Sequence, residues 1–326
     1  MRDVTLVTGN GGFFGQGRKP WDPLDIKSII TYLKQYNISI THRFYHQIIN
    51  GELPSPEIPI IYSFSQRPEI RAYLIDMANY LDFLGFRIIP SLEILLCHEN
   101  KGFQELLKKR YAIDSLKAFY FSDFEDIDSY NLQYPVVLKK LDGSNGKGVF
   151  LIEDENTLTK TVSSFARPFT TTQKLDLLRR KHFRKSKSYK EYPNYSNTID
   201  LQQYSKHIMM HKRFVIQEFI PGLDHDYRVL KAGDRFYITK RHTKDTFKAS
   251  GTKLFDFEIP NPEPILRFAK SVTDKIDSPF LSMDICHRND NFYLLEFQGL
   301  HFGMNVVVKG TGYFVYQDNT FKFQTQ

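Results

Sequence analysis

The stretch Pro135-Val136-Val137-Leu138-Lys139, followed three residues later by Gly143-Ser144-Asn145-Gly146-Lys147-Gly148-Val149, constrains the fold more than any other. A short apolar run of this kind reads as a buried strand. The chain must therefore deliver a lysine at the end of a strand and then turn straight back. Glycines allow a backbone to bend until several N–H groups point at one anion, and a lysine adds a point charge for phosphate. On these residues alone, a flexible hairpin with an exposed lysine remains an open alternative.

A second hairpin carries two acids. With a three-residue turn at Asn289-Asp290-Asn291, Asp284 lies directly opposite Glu296. Ser282, Asp284 and Cys286 then share one face with Leu294, Glu296 and Gln298. Leu281, Met283, Ile285, Tyr293, Leu295 and Phe297 form the other, wholly apolar, face. Like charges directly opposite are destabilising unless a cation lies between them. Magnesium takes oxygen ligands of this kind together with nucleotide phosphates. A solvated acid pair on an exposed sheet face is the competing reading. A third signal is the strand-like Phe214-Val215-Ile216-Gln217-Glu218-Phe219-Ile220-Pro221-Gly222, followed by Asp226-Tyr227-Arg228. Its polar end can present backbone groups to a flat base, and Arg228 can face a phosphate or carboxylate bidentately.

Around these signals the first hundred residues alternate strand and helix. Val4–Thr8, Ile58–Tyr62 and Arg87–Ile89 read as strands. Helices follow Asp22-Pro23 and Pro68, which predicts a small α/β lobe with a parallel sheet. The glycine-rich loop from Gly9 to Gly17 lacks the dinucleotide-binding spacing and reads as a tight turn. Gly102–Arg110 reads as a basic helix and Pro262–Ile276 as an amphipathic one. With 326 residues, 28 Phe and 19 Tyr, the chain has material for two or three packed lobes, which argues against disorder. No apolar run reaches the ~18 residues of a membrane span, and no signal peptide is apparent. Cys97 and Cys286 read as reduced core residues of a cytoplasmic protein.

The order of the three signals resembles that of the ATP-grasp superfamily, over about residues 100 to 308. The resemblance implies an α/β fold in which residues 1–98 form a preceding α/β domain and 99–326 the ATP-grasp domain. Its lid subdomain spans about 112–220. The implied activity is ATP- and Mg2+-dependent ligation of a carboxylate to an amine through an acyl phosphate. By the same resemblance Lys139, and Lys101 as an earlier lysine, bind nucleotide phosphate, with Gly143, Ser144, Asn145, Gly146 and Gly148 covering the β/γ end. Gln217, Glu218, Phe219 and Ile220 line the adenine pocket. Asp284, Glu296 and Gln298 hold magnesium, and Arg228, Lys240 and Arg241 face the γ-phosphate or an acyl phosphate. Gln298 stands where the family usually has Asn, and the usual Pro-Gly after it is replaced by Gly299-Leu300-His301-Phe302-Gly303.

A basic insertion, about 167–213, is rich in Lys, Arg, Tyr and Ser with weak periodicity. It reads as a mobile lid extension, or as a surface for an anionic substrate or nucleic acid. The net charge of +7 agrees with an anionic partner. Two rivals to the ligase stand at this stage. One is a kinase on the same fold, with Asp226 or His301 as general base. The other is a polyanion-binding protein. His225, His242, His287 and His301 show no metal-binding spacing and read as packing or surface residues.

Overall fold

Apolar runs too short for helices open the chain as a parallel sheet. The computed structural model describes all residues except 1, 10–12, 15–23, 66, 142–145, 166–168, 184–192, 196, 209–212, 245, 301 and 326. Most of the Gly9–Gly17 loop, Gly143 to Asn145 and His301 therefore lie outside the described residues. The chain divides into two compact units, Met1–Leu116 with Ile220–Gln326, and Lys117–Phe219.

In the first unit, β1 (Arg2–Thr8) lies centrally, followed in chain order by α1 (Ile26–Lys34), β2 (Ile38–Phe44), β3 (Ile60–Tyr62), α2 (Pro68–Phe83) and β4 (Ile88–Ile89). The sheet order is β2-β1-β3-β4, all parallel. Asp25 caps α1 by accepting from the Ser28 amide at 2.7 Å. Proline opens α2, whose Leu74, Met77, Ala78 and Leu81 pack against Val7, Ile60, Tyr62 and Ile88. The strand β2 has no counterpart among the strands expected from sequence. Its apolar residues alternate with Ser39, Thr41 and Arg43, as suits an edge position rather than a buried run. Two short helices follow, α3 (Leu92–Cys97) and α4 (Lys101–Arg110).

The second unit is a four-stranded antiparallel sheet with helices. In chain order its elements are β5 (Ala118–Phe121), β6 (Val136–Lys140), β7 (Val149–Ile152), α5 (Glu155–Ser163), α6 (Thr171–Phe183), α7 (Thr198–Ile208) and β8 (Phe214–Glu218), with sheet order β5-β8-β6-β7. Val136 and Leu138 join a core with Phe121, Ile152, Leu158, Phe214 and Ile216. Strand alternation turns Lys139 to the opposite face, across from Val215. Within the insertion the structure shows two helices rather than an irregular lid. Their weak apolar period follows from how they are held: α6 buries no residue. Instead, the Asp176 carboxylate accepts from Arg179, Arg180 and the Tyr204 hydroxyl at 2.8, 2.7 and 2.7 Å, and the Arg180 guanidinium stacks on Tyr204.

The chain then returns to the first unit with β9 (His225–Ala232), β10 (Arg235–His242), α8 (Glu263–Lys275), β11 (Phe280–Arg288), β12 (Asn291–Gln298), β13 (Gly312–Gln317) and β14 (Thr320–Thr325). These strands form an antiparallel sheet, β12-β11-β9-β10-β13-β14. One face packs on α8, where Ile265, Leu266, Ala269 and Val272 meet Val229, Leu281, Met283, Ile285, Leu294 and Phe297. The edge strand β12 is covered by α4, which sequence reading made a plain basic helix. Lys101, Gln104, Glu105 and Lys108 are in fact buried. The Gln104 side-chain oxygen accepts from the Phe297 amide at 3.2 Å. The Lys108 ammonium donates to Glu105 at 2.7 Å and to the carbonyls of Leu294 and Leu295 at 3.2 and 3.3 Å. An edge that would otherwise offer open backbone groups is thereby closed.

Gly299 follows β12 because no larger residue fits. A Cβ there would stand 2.4 Å from Cγ2 of the buried Ile94, a branched carbon that cannot swing aside. Gly299→Ala is expected to destabilise the fold by about 1–3 kcal/mol. Combined with Ile94→Ala, the loss in urea denaturation should fall short of the sum of the two single losses. Strict additivity would contradict the packing described.

Candidate active site

Turn chemistry and a bulge set the acid pair. Asn289 and Asp290 both occupy the left-handed region, with φ of 49° and 63°, so the turn has two residues and not the expected three. The ladder runs Arg288–Asn291, His287–Phe292, Cys286–Tyr293 and Ile285–Leu294, then shifts, so that Asp284 still faces Glu296. Leu295 is the extra residue of the bulge. The expected apolar face is corrected accordingly. Leu294 enters the main core, whereas Tyr293 and Leu295 pack with Leu116, Ile220 and Cys286.

Strand pairing then assembles a charged network. Arg228 on β9 is opposite Asp284 on β11, and Asp226 is opposite Arg241 on β10. Arg228 grips Asp284 bidentately, Nε to Oδ1 at 2.9 Å and Nη2 to Oδ2 at 3.0 Å. Arg241 places Nη2 2.9 Å from the same Oδ2 and also holds Asp226 through two bonds of 2.6 and 2.7 Å. The side chains of Arg241 and Asp226 are 4% and 8% exposed, so these charges are desolvated and depend on one another. Burial alone would push the Asp284 carboxyl up; the guanidiniums of Arg228 and Arg241 outweigh it and hold it well below the usual carboxylate range. Burial pushes the Asp226 carboxyl up, and Arg241 only partly opposes this because it also serves Asp284. Glu296 has its own cation, the buried Lys101 ammonium at 3.4 Å, and the Gln298 amide stands 3.4 Å from the same Oε1.

The candidates therefore separate. Asp284, Glu296, Gln298, Arg228, Arg241 and Lys101 gather within the first unit. Lys240 does not join them. It lies across from Tyr227, on the sheet face opposite Arg241, because neighbouring strand residues point to opposite faces. Ile220 belongs to the small apolar cluster around Cys286. Asp226 as a general base is also corrected, since both of its oxygens are held by Arg241. Sequence reading missed Lys108 and Glu105, because the buried side of α4 is mostly polar and has no apolar stripe to mark it. In the second unit, Lys139 is 9% exposed and shares a sheet face with Gln217, whose neighbour across the ladder is Val137. The Gln217 Nε2 is buried without a hydrogen-bond partner among the described residues. Gly146 and Gly148 adopt φ of 71° and 79°, and the Lys140 amide donates to the Gly148 carbonyl at 2.8 Å, closing the loop. Lys140 itself packs over Phe165 on the core face.

Known proteins resemble this chain in part of its sequence and in fold. Residues 101–188 match the RimK-like ATP-grasp domain. The chain is 28% identical over 219 residues to the alpha-aminoadipate–LysW ligase LysX of Saccharolobus solfataricus, covering 65% of each chain. A shorter stretch of 94 residues is 32% identical to the formate-dependent phosphoribosylglycinamide formyltransferase of Prochlorococcus marinus, covering 28% of this chain and 24% of that one. The chain thus aligns with less than two thirds of the length of these relatives. Among solved structures, the RimK domain ATP-grasp protein of Sphaerobacter thermophilus superposes with a TM-score of 0.52 at 13% identity, covering 94% of both chains. The ADP complex of purK, an N5-carboxyaminoimidazole ribonucleotide synthetase, gives 0.54 at 10% identity, covering 95% of this chain and 73% of that one. The chain has the ATP-grasp fold.

The network reverses what a bare acid pair would predict. Asp284→Asn leaves two largely buried guanidiniums short of a counter-charge, so the metal-free protein is expected to lose about 3 kcal/mol or more. The sign with pH follows from the depressed carboxyl. Its stabilisation is present above the unfolded value near 4 and is lost as pH falls below it. Asp226, raised by burial, acts in the opposite sense. Melting curves from pH 7 to pH 2.5 should show wild type and Asp284→Asn converging below about pH 4. A variant as stable as wild type at pH 7 would contradict the network.

Proposed function

We propose that this chain is an ATP-dependent carboxylate–amine ligase. The observation that carries this is the facing pair Asp284 and Glu296, with Arg228 and Arg241 on the same sheet face, in a chain with the ATP-grasp fold. The matched LysX relative is named as a ligase, and a structural neighbour, the L-amino acid ligase of Bacillus licheniformis, superposes with a TM-score of 0.51 at 11% identity over 94% of this chain and 70% of that one. The proposal includes the partition into a preceding domain, 1–98, and an ATP-grasp domain, 99–326. It also includes a lid of about 112–220 and a cytoplasmic setting. Among the described residues no helix is long and apolar enough to cross a membrane.

Asp284, Glu296 and Gln298 offer oxygen donors on one face, the donor type that magnesium takes, and fit that ion if the Asp284 oxygens are given up in part by Arg228 and Arg241. Bound there, magnesium would neutralise charge on the phosphates of ATP. The chain's own groups do the rest by position and charge. Lys139 supplies a cation for the nucleotide phosphates, with the backbone at Gly146 and Gly148 beside it in sequence. The unpartnered Gln217 amide supplies a donor for a ring nitrogen of the base. Arg228, already fork-shaped toward a carboxylate, is suited to hold the transferred phosphoryl group. Phosphoryl transfer from ATP to the substrate carboxylate gives an acyl phosphate and ADP. Attack by the amine forms the amide and releases phosphate. No nucleophilic side chain is required. The substrates fall in the class of small-molecule or peptide carboxylates and amines, and the basic helix α6 of the insertion suits an anionic acceptor.

Acceptors are found by ADP release across pools of amino acids and peptides, after which hydroxylamine discriminates. It intercepts acyl phosphates as hydroxamates and leaves phosphate esters intact. Hydroxamate formation, and phosphate released in step with ADP, are expected. Phosphate retained on the acceptor would replace the ligase by a kinase.

A further inference from the structure

Three histidines that are far apart in sequence meet at one end of the first unit's antiparallel sheet. His225 begins β9, and its Cα partner on β10 is His242. The β9–β11 ladder pairs Tyr227 with Ile285, and continuing it by two residues brings His287 beside His225. The ring centroids of His225 and His287 are 5.0 Å apart, and those of His225 and His242 are 6.3 Å apart. These side chains lie on the face opposite Asp226, Arg228, Arg241 and Asp284, since they occupy the alternate positions of the same strands. The row is therefore separate from the proposed nucleotide–metal residues.

Two of the rings carry nitrogens that nothing in the described residues satisfies. His225 is 7% exposed, and its Nε2 is buried without a hydrogen-bond partner. The Nδ1 of His287 is buried and unpartnered as well. The remaining nitrogens of two rings are held by carboxylates: His225 Nδ1 lies 2.6 Å from Asp224 Oδ1, and His242 Nε2 lies 2.5 Å from Asp256 Oδ2. A carboxylate on one imidazole nitrogen fixes the tautomer that leaves the other nitrogen's lone pair available. This is the usual arrangement around a metal-bound histidine. Spacing agrees. Two imidazoles bound at about 2 Å to one tetrahedral ion have centroids about 5 Å apart. No three His, Cys, Asp or Glu groups among the described residues already converge on a point, because His242 stands farther out. Its side chain is 34% exposed, and about an ångström of approach brings it to the same separation.

We propose that His225 and His287, with His242 as third ligand, bind a divalent transition ion such as Zn2+, and that Asp224 and Asp256 orient the imidazoles of His225 and His242 from behind. Burial lowers the His225 imidazole below its usual value, Lys240 and His287 add to this, and Asp224 opposes it, so the ring is kept in the neutral form that ligates. The spread of the ligands over β10, β9 and β11 would let the ion tie three strands together at the sheet end that sequence reading left without a role.

The test uses the untagged full chain and Zn2+ alone, titrated by calorimetry without nucleotide, followed by Co2+ as a spectroscopic stand-in. One equivalent of Zn2+ should bind. His225→Gln and His287→Gln should each weaken it by about tenfold or more, and Asp224→Asn by about tenfold. Bound Co2+ should show the intense visible absorption of a four-coordinate ion. Glu296→Gln should leave the stoichiometry and affinity for Zn2+ unchanged, which separates this site from the proposed magnesium residues. His242→Gln, at a half-exposed position, supplies a variant whose folding is not at issue; a tenfold loss there is also expected. Absence of stoichiometric Zn2+ binding, Zn2+ affinity unchanged in the folded His variants, or a weak six-coordinate Co2+ spectrum would each overturn the proposal.

Discussion

The chemistry of the first unit depends on Asp284 being shared by two arginines. Its carboxylate sits where Arg228 and Arg241 both reach it, and Arg241 reaches on to Asp226. Two acids and two guanidiniums thus bind β10, β9 and β11 in one plane of charge. A buried charge without its partner costs several kcal/mol, so these four groups stand or fall together. The consequence for function is a preformed, electrically balanced surface. Glu296, balanced by Lys101, adjoins it across the ladder. On the proposed reading, such a surface would accept a phosphate and a metal ion by exchange of partners rather than by creating charge in an empty site.

Glu296 is opposite Asp284 because of a second constraint, the bulge at Leu295. The Asn289-Asp290 turn favours a two-residue hairpin, which on its own would bring Leu295 opposite Asp284. One extra residue in β12 restores the acid pair, and the carbonyls on either side of that step are held by the Lys108 ammonium. Lys108 is fully buried and balanced by Glu105, so α4 does more than cover an edge. It fixes the local path of the strand that carries Glu296 and Gln298, while its first residue, Lys101, supplies the counter-charge to Glu296.

Much of this was legible in the sequence where one signal dominated. The run from Val136 to Lys139 and the helix with Ile265, Leu266, Ala269 and Val272 followed from period and burial, whereas the Asp284–Glu296 pairing was reached through a three-residue turn and holds because the bulge supplies the residue that the two-residue turn lacks. What was missed has a physical pattern. Leu294 and Leu295 are chemically identical, so hydrophobic patterning could not choose between the two registers; only the turn's demand for left-handed residues could. Lys108 looked like part of a plain basic helix because the carbonyls it binds lie almost two hundred residues away, and the distance from Lys101 to Glu296 is as long. The three histidines had no spacing to read, since pairing between strands, not distance along the chain, sets them in a row. The helices of the insertion are held by Asp176, Arg180 and Tyr204 rather than by an apolar stripe, which left their periodicity faint.

The two units bring complementary equipment: oxygen donors and arginines in one, a lysine, a glycine turn and an unpartnered amide in the other. The ligase reading gives residues of each unit a role in binding ATP. Calorimetric titration of ATP with magnesium into wild type, Lys139→Met and Glu296→Gln tests this most directly. Wild type should bind, and each variant should bind at least about tenfold more weakly, as expected for loss of a charged contact, while melting as a folded protein. Affinity unchanged in both variants, or no binding by wild type, would contradict the account.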